Sequence, residues 1–200
     1  MNLANLAKPP ITGLILAGGL GRRMGGQDKG LVCYHGKPLI EHVLPSLRQQ
    51  VDTIIISANR NLATYQHYQY PVVSDRCDSF AGPLAGIEAG LTYCQTQQLS
   101  EWLFCVPCDA LALAEPLVEH LWQALVQSQT NSPIAIAHDG QRVQPLYALL
   151  HLDCLTDLSS YLQAEQHKVM QWMQSQQALI VDCSDYADTF YNLNALPHSS

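Results

Sequence analysis

The stretch ILAGGLGRRMGGQDKG, residues 15–30, gathers six glycines with Arg22, Arg23 and Lys29 directly behind an apolar run. Glycine lets backbone N–H groups approach a phosphate closely, and clustered cations neutralise its charge. The combination predicts a phosphate cradle; a merely flexible surface loop would leave the three cations without a reason. Two familiar cradles do not match. A Walker A loop needs G-x-x-x-x-G-K-[ST], whereas Lys29 follows Asp28 and precedes Gly30. A dinucleotide fingerprint needs G-x-G-x-x-G, and Gly19 and Gly21 are followed by Met24 where the third glycine belongs.

Asp109, just past the apolar run WLFCV, is the candidate for holding a metal. Mg²⁺ bridging phosphate oxygens needs only one or two carboxylates, with water filling the remaining positions. The alternative reading of Asp109 is a cap for the helical segment that begins near Ala114.

These residues need elements to position them. With 200 residues, 48% hydrophobic and 14% charged, the chain suits one globular domain. We expect a lead at 1–10 and the domain at 11–200. Strand-length apolar runs (ITGLILA, TIIIS, YPVVS, WLFCV, IAIAH, VQPLYALL, ALIVD) alternate with helical patterns (PLIEHVLPSLRQQ, PLAGIEAGLTYC, AEPLVEHLWQALVQ, LTDLSSYLQAE, VMQWMQS), with a kink expected at Pro45. The expected fold is a single Rossmann-like α/β domain with a mainly parallel central sheet and helices on both faces, because the three consecutive isoleucines of TIIIS put apolar side chains on both sides of the strand. Ligands of such sheets bind beyond the carboxyl ends of the strands, where the glycine stretch and Asp109 both fall.

A net charge of −7 argues against a nucleic-acid partner, and no apolar stretch has the length of a membrane span. The run ITGLILAGG is too short and lacks the basic lead of a signal peptide. Seven scattered cysteines form no even framework, which points to a reducing cytoplasm. Only CVPC, Cys105 to Cys108, has motif spacing; it lacks two further zinc ligands and does not open a helix, so both are read as buried thiols. His120, His138, His151 and His167 make no helical pair and are read as surface or packing residues. The apolar residues of VMQWMQS are read as core.

The opening stretch resembles that of the nucleotidyltransferases, and more closely that of the molybdenum cofactor guanylyltransferases. The resemblance continues in order through GKPLIEHV, SANR, GPLAGI, PCD, QPLYALL and YNLN, and so covers nearly the whole chain. It implies transfer of GMP from GTP to the terminal phosphate of molybdopterin, with release of pyrophosphate and with Mg²⁺ as cofactor. Lys29, Arg23 and Asp109 would be catalytic, Asp109 as the metal ligand. Nucleotide contacts would come from Leu16, Ala17, Gly18, Gly19, Gly21, Arg22, Lys29, Asn59, Asp75, Gly82, Pro83, Leu84 and Asp109. Asp75 suits guanine, whose adjacent N1–H and N2–H₂ donors one carboxylate accepts together; Asn59 as a turn residue and Asp75 as a loop cap stay open. Gln144, Pro145, Asn192 and Asn194 would face the acceptor, although ordinary turn and edge hydrogen bonding also accounts for them. LAGG and GPLAG look like the guanine-selecting forms, which favours GTP over CTP. Other proteins of cofactor biosynthesis, and proteins that receive the cofactor, would be transient partners.

The chain departs from the family after Asp109, where ALAL stands in place of an early proline, and at LPHSS, where relatives continue into a terminal helix. A cytidylyl or sugar-phosphate nucleotidyltransferase, a nucleotide-sensing module and a dinucleotide-dependent oxidoreductase are the competing functions. The sensing module has no use for Asp109, and the oxidoreductase lacks its third glycine.

Overall fold

The computed structural model describes residues 8–19, 27–76, 82–128 and 130–191. In chain order the elements are β1 (Ile11–Leu16), β2 (Cys33–Tyr34), β3 (Lys37–Pro38), α1 (Ile40–Arg48), β4 (Thr53–Ser57), α2 (Leu62–Gln66), β5 (Val72–Val73), α3 (Pro83–Gln97), β6 (Trp102–Pro107), α4 (Leu117–Gln127), β7 (Ile134–His138), β8 (Val143–His151), α5 (Leu155–Gln163), α6 (Val169–Ser175) and β9 (Leu179–Asp182). Seven strands make one sheet in the order β5-β4-β1-β6-β8-β7-β9, and β2 pairs with β3 in a separate hairpin. The expected α/β architecture is observed. The sheet is mainly parallel, with β8 the antiparallel strand between β6 and β7.

Alternation along the strands explains why both faces are covered. Ile54 and Ile56 of β4 point into a core shared with α1 and α4, together with Ile11, Ile15, Phe104 and Leu149. Ile55, between them, points into a second core with α3, α5 and α6, together with Leu14, Leu103, Leu84 and Trp172. A strand buried on both sides has no polar alternation to show. Close approach of α3 to β1 depends on Gly90, where a Cβ would lie 2.8 Å from Leu14 Cδ2. α1 continues through Pro45 as one element. Among the described residues, no helix is long and apolar enough to cross a membrane.

Candidate active site

The site follows from strand register. Leu16 at the end of β1 pairs with Ser57 of β4 on one side and with Pro107 of β6 on the other. One row across the carboxyl edge therefore holds Leu16, Ser57 and Pro107. Backbone bonds Ala17 N to Ser57 O (2.8 Å) and Cys108 N to Leu16 O (3.2 Å) extend the row past the strands. The chain leaves that edge as Ala17–Gly19, Ala58–Asn59 and Cys108–Asp109, which brings the glycine stretch and the acidic residue together.

A cavity of about 260 Å³ opens there, lined among the described residues by Leu16, Ala17, Gly18, Gly19, Lys29, Ser57, Asp75, Gly82, Pro83, Gly86, Pro107, Cys108, Asp109 and Leu146. Two glycines make the room. At Gly86 a Cβ would stand 2.6 Å from Ser57 Oγ, and at Gly18 it would stand 3.0 Å from Asn59 Nδ2. Gly82 precedes α3 with a φ of 74°, a left-handed conformation that glycine adopts without strain, and Pro83 follows at the first helical position. The positive end of a 15-residue helix thus faces the cavity.

At one side of the cavity Lys29, from a short 3₁₀ turn, places its Nζ 2.5 Å from Asp109 Oδ2. Asp109 is almost fully buried, and among the described residues its Oδ2 has no partner beyond that ammonium. It does not cap α4, whose N-terminal flank is Pro116 with no side-chain cap. Asp75 also lines the cavity, gripped by Asn59: Asn59 Nδ2 donates to Asp75 Oδ2 at 2.8 Å, and Asp75 N donates to Asn59 Oδ1 at 2.9 Å. Burial pushes the Asp75 carboxyl above the ordinary carboxylate range, Asn59 pulls it back, and the charge of Glu88 adds to the rise.

Of the residues expected from sequence, Leu16, Ala17, Gly18, Gly19, Lys29, Asp75, Gly82, Pro83 and Asp109 line the cavity. Asn59 stands behind the lining and braces it, through Asp75 and through a 3.4 Å contact with Gly18 O. Leu84 is fully buried in the core under α3, so its side chain serves packing. Gln144 is buried and donates to Asp139 Oδ2 at 2.6 Å, whereas Leu146, inside the register shift that interrupts the pairing of β8 with β7, reaches the cavity. Pro145, also in β8, does not line it. Gly21, Arg22, Arg23, Asn192 and Asn194 lie outside the described residues. Sequence reasoning missed Ser57, Gly86, Pro107, Cys108 and Leu146 as lining residues, although each sits inside a motif already singled out. It assigned no role to Asp28. The CVPC cysteines are buried thiols, and burial pushes both Cys105 and Cys108 up to about 12.

Residues 13–179 match the model of the MobA-like NTP transferase domain. The molybdenum cofactor guanylyltransferase of Yersinia pestis (strain Pestoides F) is 43% identical over 187 residues, which is 94% of this chain and 92% of the relative. The chain belongs to the MobA-like NTP transferase family. Solved structures agree with this MobA-like fold. Molybdopterin-guanine dinucleotide biosynthesis protein A from Archaeoglobus fulgidus superimposes with a TM-score of 0.74 at 20% identity, covering 92% of both chains. A Mycobacterium tuberculosis protein solved in complex with manganese gives 0.61 at 17% identity, covering 86% of this chain and 89% of the other. As a MobA-like NTP transferase, the protein is a nucleotidyltransferase by family.

Proposed function

We propose that this nucleotidyltransferase transfers GMP from GTP to the terminal phosphate of molybdopterin, forming the guanine dinucleotide of the cofactor and releasing pyrophosphate. The observation that carries the reading is the meeting of Lys29 and Asp109 at 2.5 Å on the carboxyl edge of the sheet, in a chain 43% identical to a molybdenum cofactor guanylyltransferase. In this reaction an acceptor phosphate oxygen attacks the α-phosphorus of the triphosphate. The bond to the bridging oxygen breaks, and negative charge accumulates on departing pyrophosphate. Lys29 neutralises that charge, while the N–H groups of Gly18 and Gly19 and the N-terminus of α3 favour the anionic chain. Arg22 and Arg23 are assigned to the same phosphates by their place in the stretch.

The donor set at Asp109 fits a hard divalent cation: a buried carboxylate oxygen whose one polar contact among the described residues is the Lys29 ammonium, beside the place assigned to phosphates. Among the described residues no group of three or more His, Cys, Asp or Glu gathers, so the triphosphate and water would supply most of the ligands. We assign Mg²⁺ to Asp109, where, when bound, it would draw charge from the phosphate oxygens. Asp75, held by Asn59, is assigned to the guanine N1–H and N2–H₂ pair. The acceptor is assigned to the side of the cavity bordered by Leu146, with Asn192 and Asn194 assigned to it by the YNLN motif. A cytoplasmic location is part of the reading, supported by the odd, scattered cysteines. Transient exchange with other proteins of cofactor biosynthesis, and with proteins that receive the cofactor, is proposed as well.

The test is incubation with molybdopterin, Mg²⁺ and each of the four nucleoside triphosphates while pyrophosphate is followed. GTP should give the fastest release, and release should need both acceptor and divalent cation. Equal or faster release with CTP would overturn the choice of nucleotide.

A further inference from the structure

Asp28 is an ionisable residue buried to 9% exposure immediately before Lys29, and no role in the reaction is assigned to it. Both of its carboxylate oxygens are engaged from one short stretch further along the chain. The Tyr65 hydroxyl donates to Oδ1 at 2.6 Å, and Asn61 Nδ2 donates to Oδ2 at 3.0 Å. Tyr65 is fully buried, and burial first, then its bond to Asp28, raises its pKa, which keeps the hydroxyl a donor at working pH. Asn61 sits at a φ of 50°, a left-handed conformation that Asn tolerates better than most residues. On the far side of Lys29 the space is equally constrained: a Cβ on Gly30 would lie 2.5 Å from the Tyr65 hydroxyl oxygen. The turn closes through Leu31 N to Asp28 O at 3.0 Å and Val32 N to Lys29 O at 3.2 Å. Arg60, in the same stretch, donates to Gly19 O at 3.2 Å and to Gln27 O at 3.3 Å.

This arrangement does two things to Lys29. It fixes the backbone on both sides of the lysine. It also satisfies the Asp28 carboxylate with neutral donors, leaving the ammonium to Asp109 instead of to its own neighbour. A buried carboxylate that lost those donors would draw the nearest cation toward itself. We infer that Tyr65 and Asn61 are positioning residues which act through the Asp28 carboxylate to hold Lys29 Nζ at the phosphate end of the cavity. The inference rests on the phosphate-neutralising role proposed above for Lys29.

The test is steady-state guanylyl transfer, with GTP, Mg²⁺ and molybdopterin, by the full chain and by Tyr65→Phe, Asn61→Gly, Lys29→Ala and Tyr65→Phe/Lys29→Ala. Tyr65→Phe keeps the buried ring, and Asn61→Gly keeps the left-handed backbone while removing the amide, so the second variant reports if the first does not fold. Each should lower kcat about 10- to 100-fold, the range of one hydrogen bond to a charged group, with the KM for GTP changed less than about threefold. On the Lys29→Ala background, Tyr65→Phe should cost nothing further, because the two act as one unit. Unchanged kcat in the folded single variants, or a full second loss in the double variant, overturns the inference while leaving the role of Lys29 intact. A wild-type rate for Lys29→Ala overturns the lysine's role, and the inference falls with it.

Discussion

Lys29 and Asp109 stand 2.5 Å apart with very different exposure: 28% of the lysine side chain is accessible and 3% of the aspartate. Desolvating a charged pair is costly, and hydrophobic side chains of similar volume are often as stable in such places. An ion pair at the open edge of a sheet, lining a cavity, is better accounted for by ligand charge than by stability. The exposed partner is free to turn toward an incoming phosphate, and the buried one is fixed.

Removing the ammonium should therefore cost activity far more than fold. Lys29→Ala is expected to lower kcat/KM for guanylyl transfer roughly 30- to 1,000-fold, equivalent to about 2 to 4 kcal/mol of transition-state stabilisation. Its thermal melt should stay cooperative. Near-normal turnover would remove Lys29 from the chemistry.

The cavity's shape yields a second expectation. At Gly86 an added Cβ would lie 2.6 Å from Ser57 Oγ and 3.0 Å from Leu16 Cδ2, with α3 and the sheet both packed and unable to part easily. Gly86→Ala should destabilise the protein by about 1 to 3 kcal/mol and weaken GTP binding. Ser57→Ala added to Gly86→Ala should restore part of both, since it removes the nearer atom. Urea melts and nucleotide titration of the two single variants and the double would check it; strict additivity would show that the contact does not matter.

Much of the fold is legible in the sequence because buried strands carry their own signature. TIIIS and IAIAH match β4 and β7 residue for residue, and VMQWMQS matches α6. The direction of β8 is not legible, since alternation of side chains is the same in a parallel and an antiparallel strand. The hairpin of β2 and β3 is two residues per strand, turned by His35 and Gly36 at φ of 47° and 77°, and is too short to show a period. At the site, glycines and charged residues reveal the cavity, yet nothing in the sequence gives Asp28 a role. Its importance arises from Tyr65 and Asn61, which only the packing of α2 against that turn brings to it. Gln144 shows another relationship that the motif alone does not reveal: its side-chain amide donates to Asp139 Oδ2.

The thiols offer a third test, independent of activity. Cys94, Cys105, Cys108, Cys154 and Cys183 are buried, whereas Cys33 is exposed. Burial raises all five buried thiols, pushing Cys105, Cys108 and Cys154 up to about 12, so they carry almost no thiolate near neutral pH. In a Cys77→Ser variant, an aromatic disulfide reagent at pH 8 should modify Cys33 quickly and the buried five only on denaturation. Rapid labelling of Cys108 in the folded protein would show that the cavity floor opens.

Asp109 gives the most demanding test, because it separates binding from chemistry. Asp109→Asn keeps the shape of the side chain and removes the negative charge that a hard cation requires. It also releases Lys29 from its ion pair, so the ammonium gains freedom to bind a triphosphate. GTP affinity measured without divalent cation should therefore be retained or rise. Guanylyl transfer should fall about 100-fold or more, as expected when a metal contact that strengthens in the transition state is lost. Raising Mg²⁺, or replacing it with Mn²⁺, which accepts the same oxygen ligands, should recover part of the rate. Titrating activity against each cation at saturating GTP checks this directly. If the variant works normally at low Mg²⁺, the carboxylate serves only to hold Lys29, and Asp75, the other acidic residue among the described lining, becomes the residue to substitute.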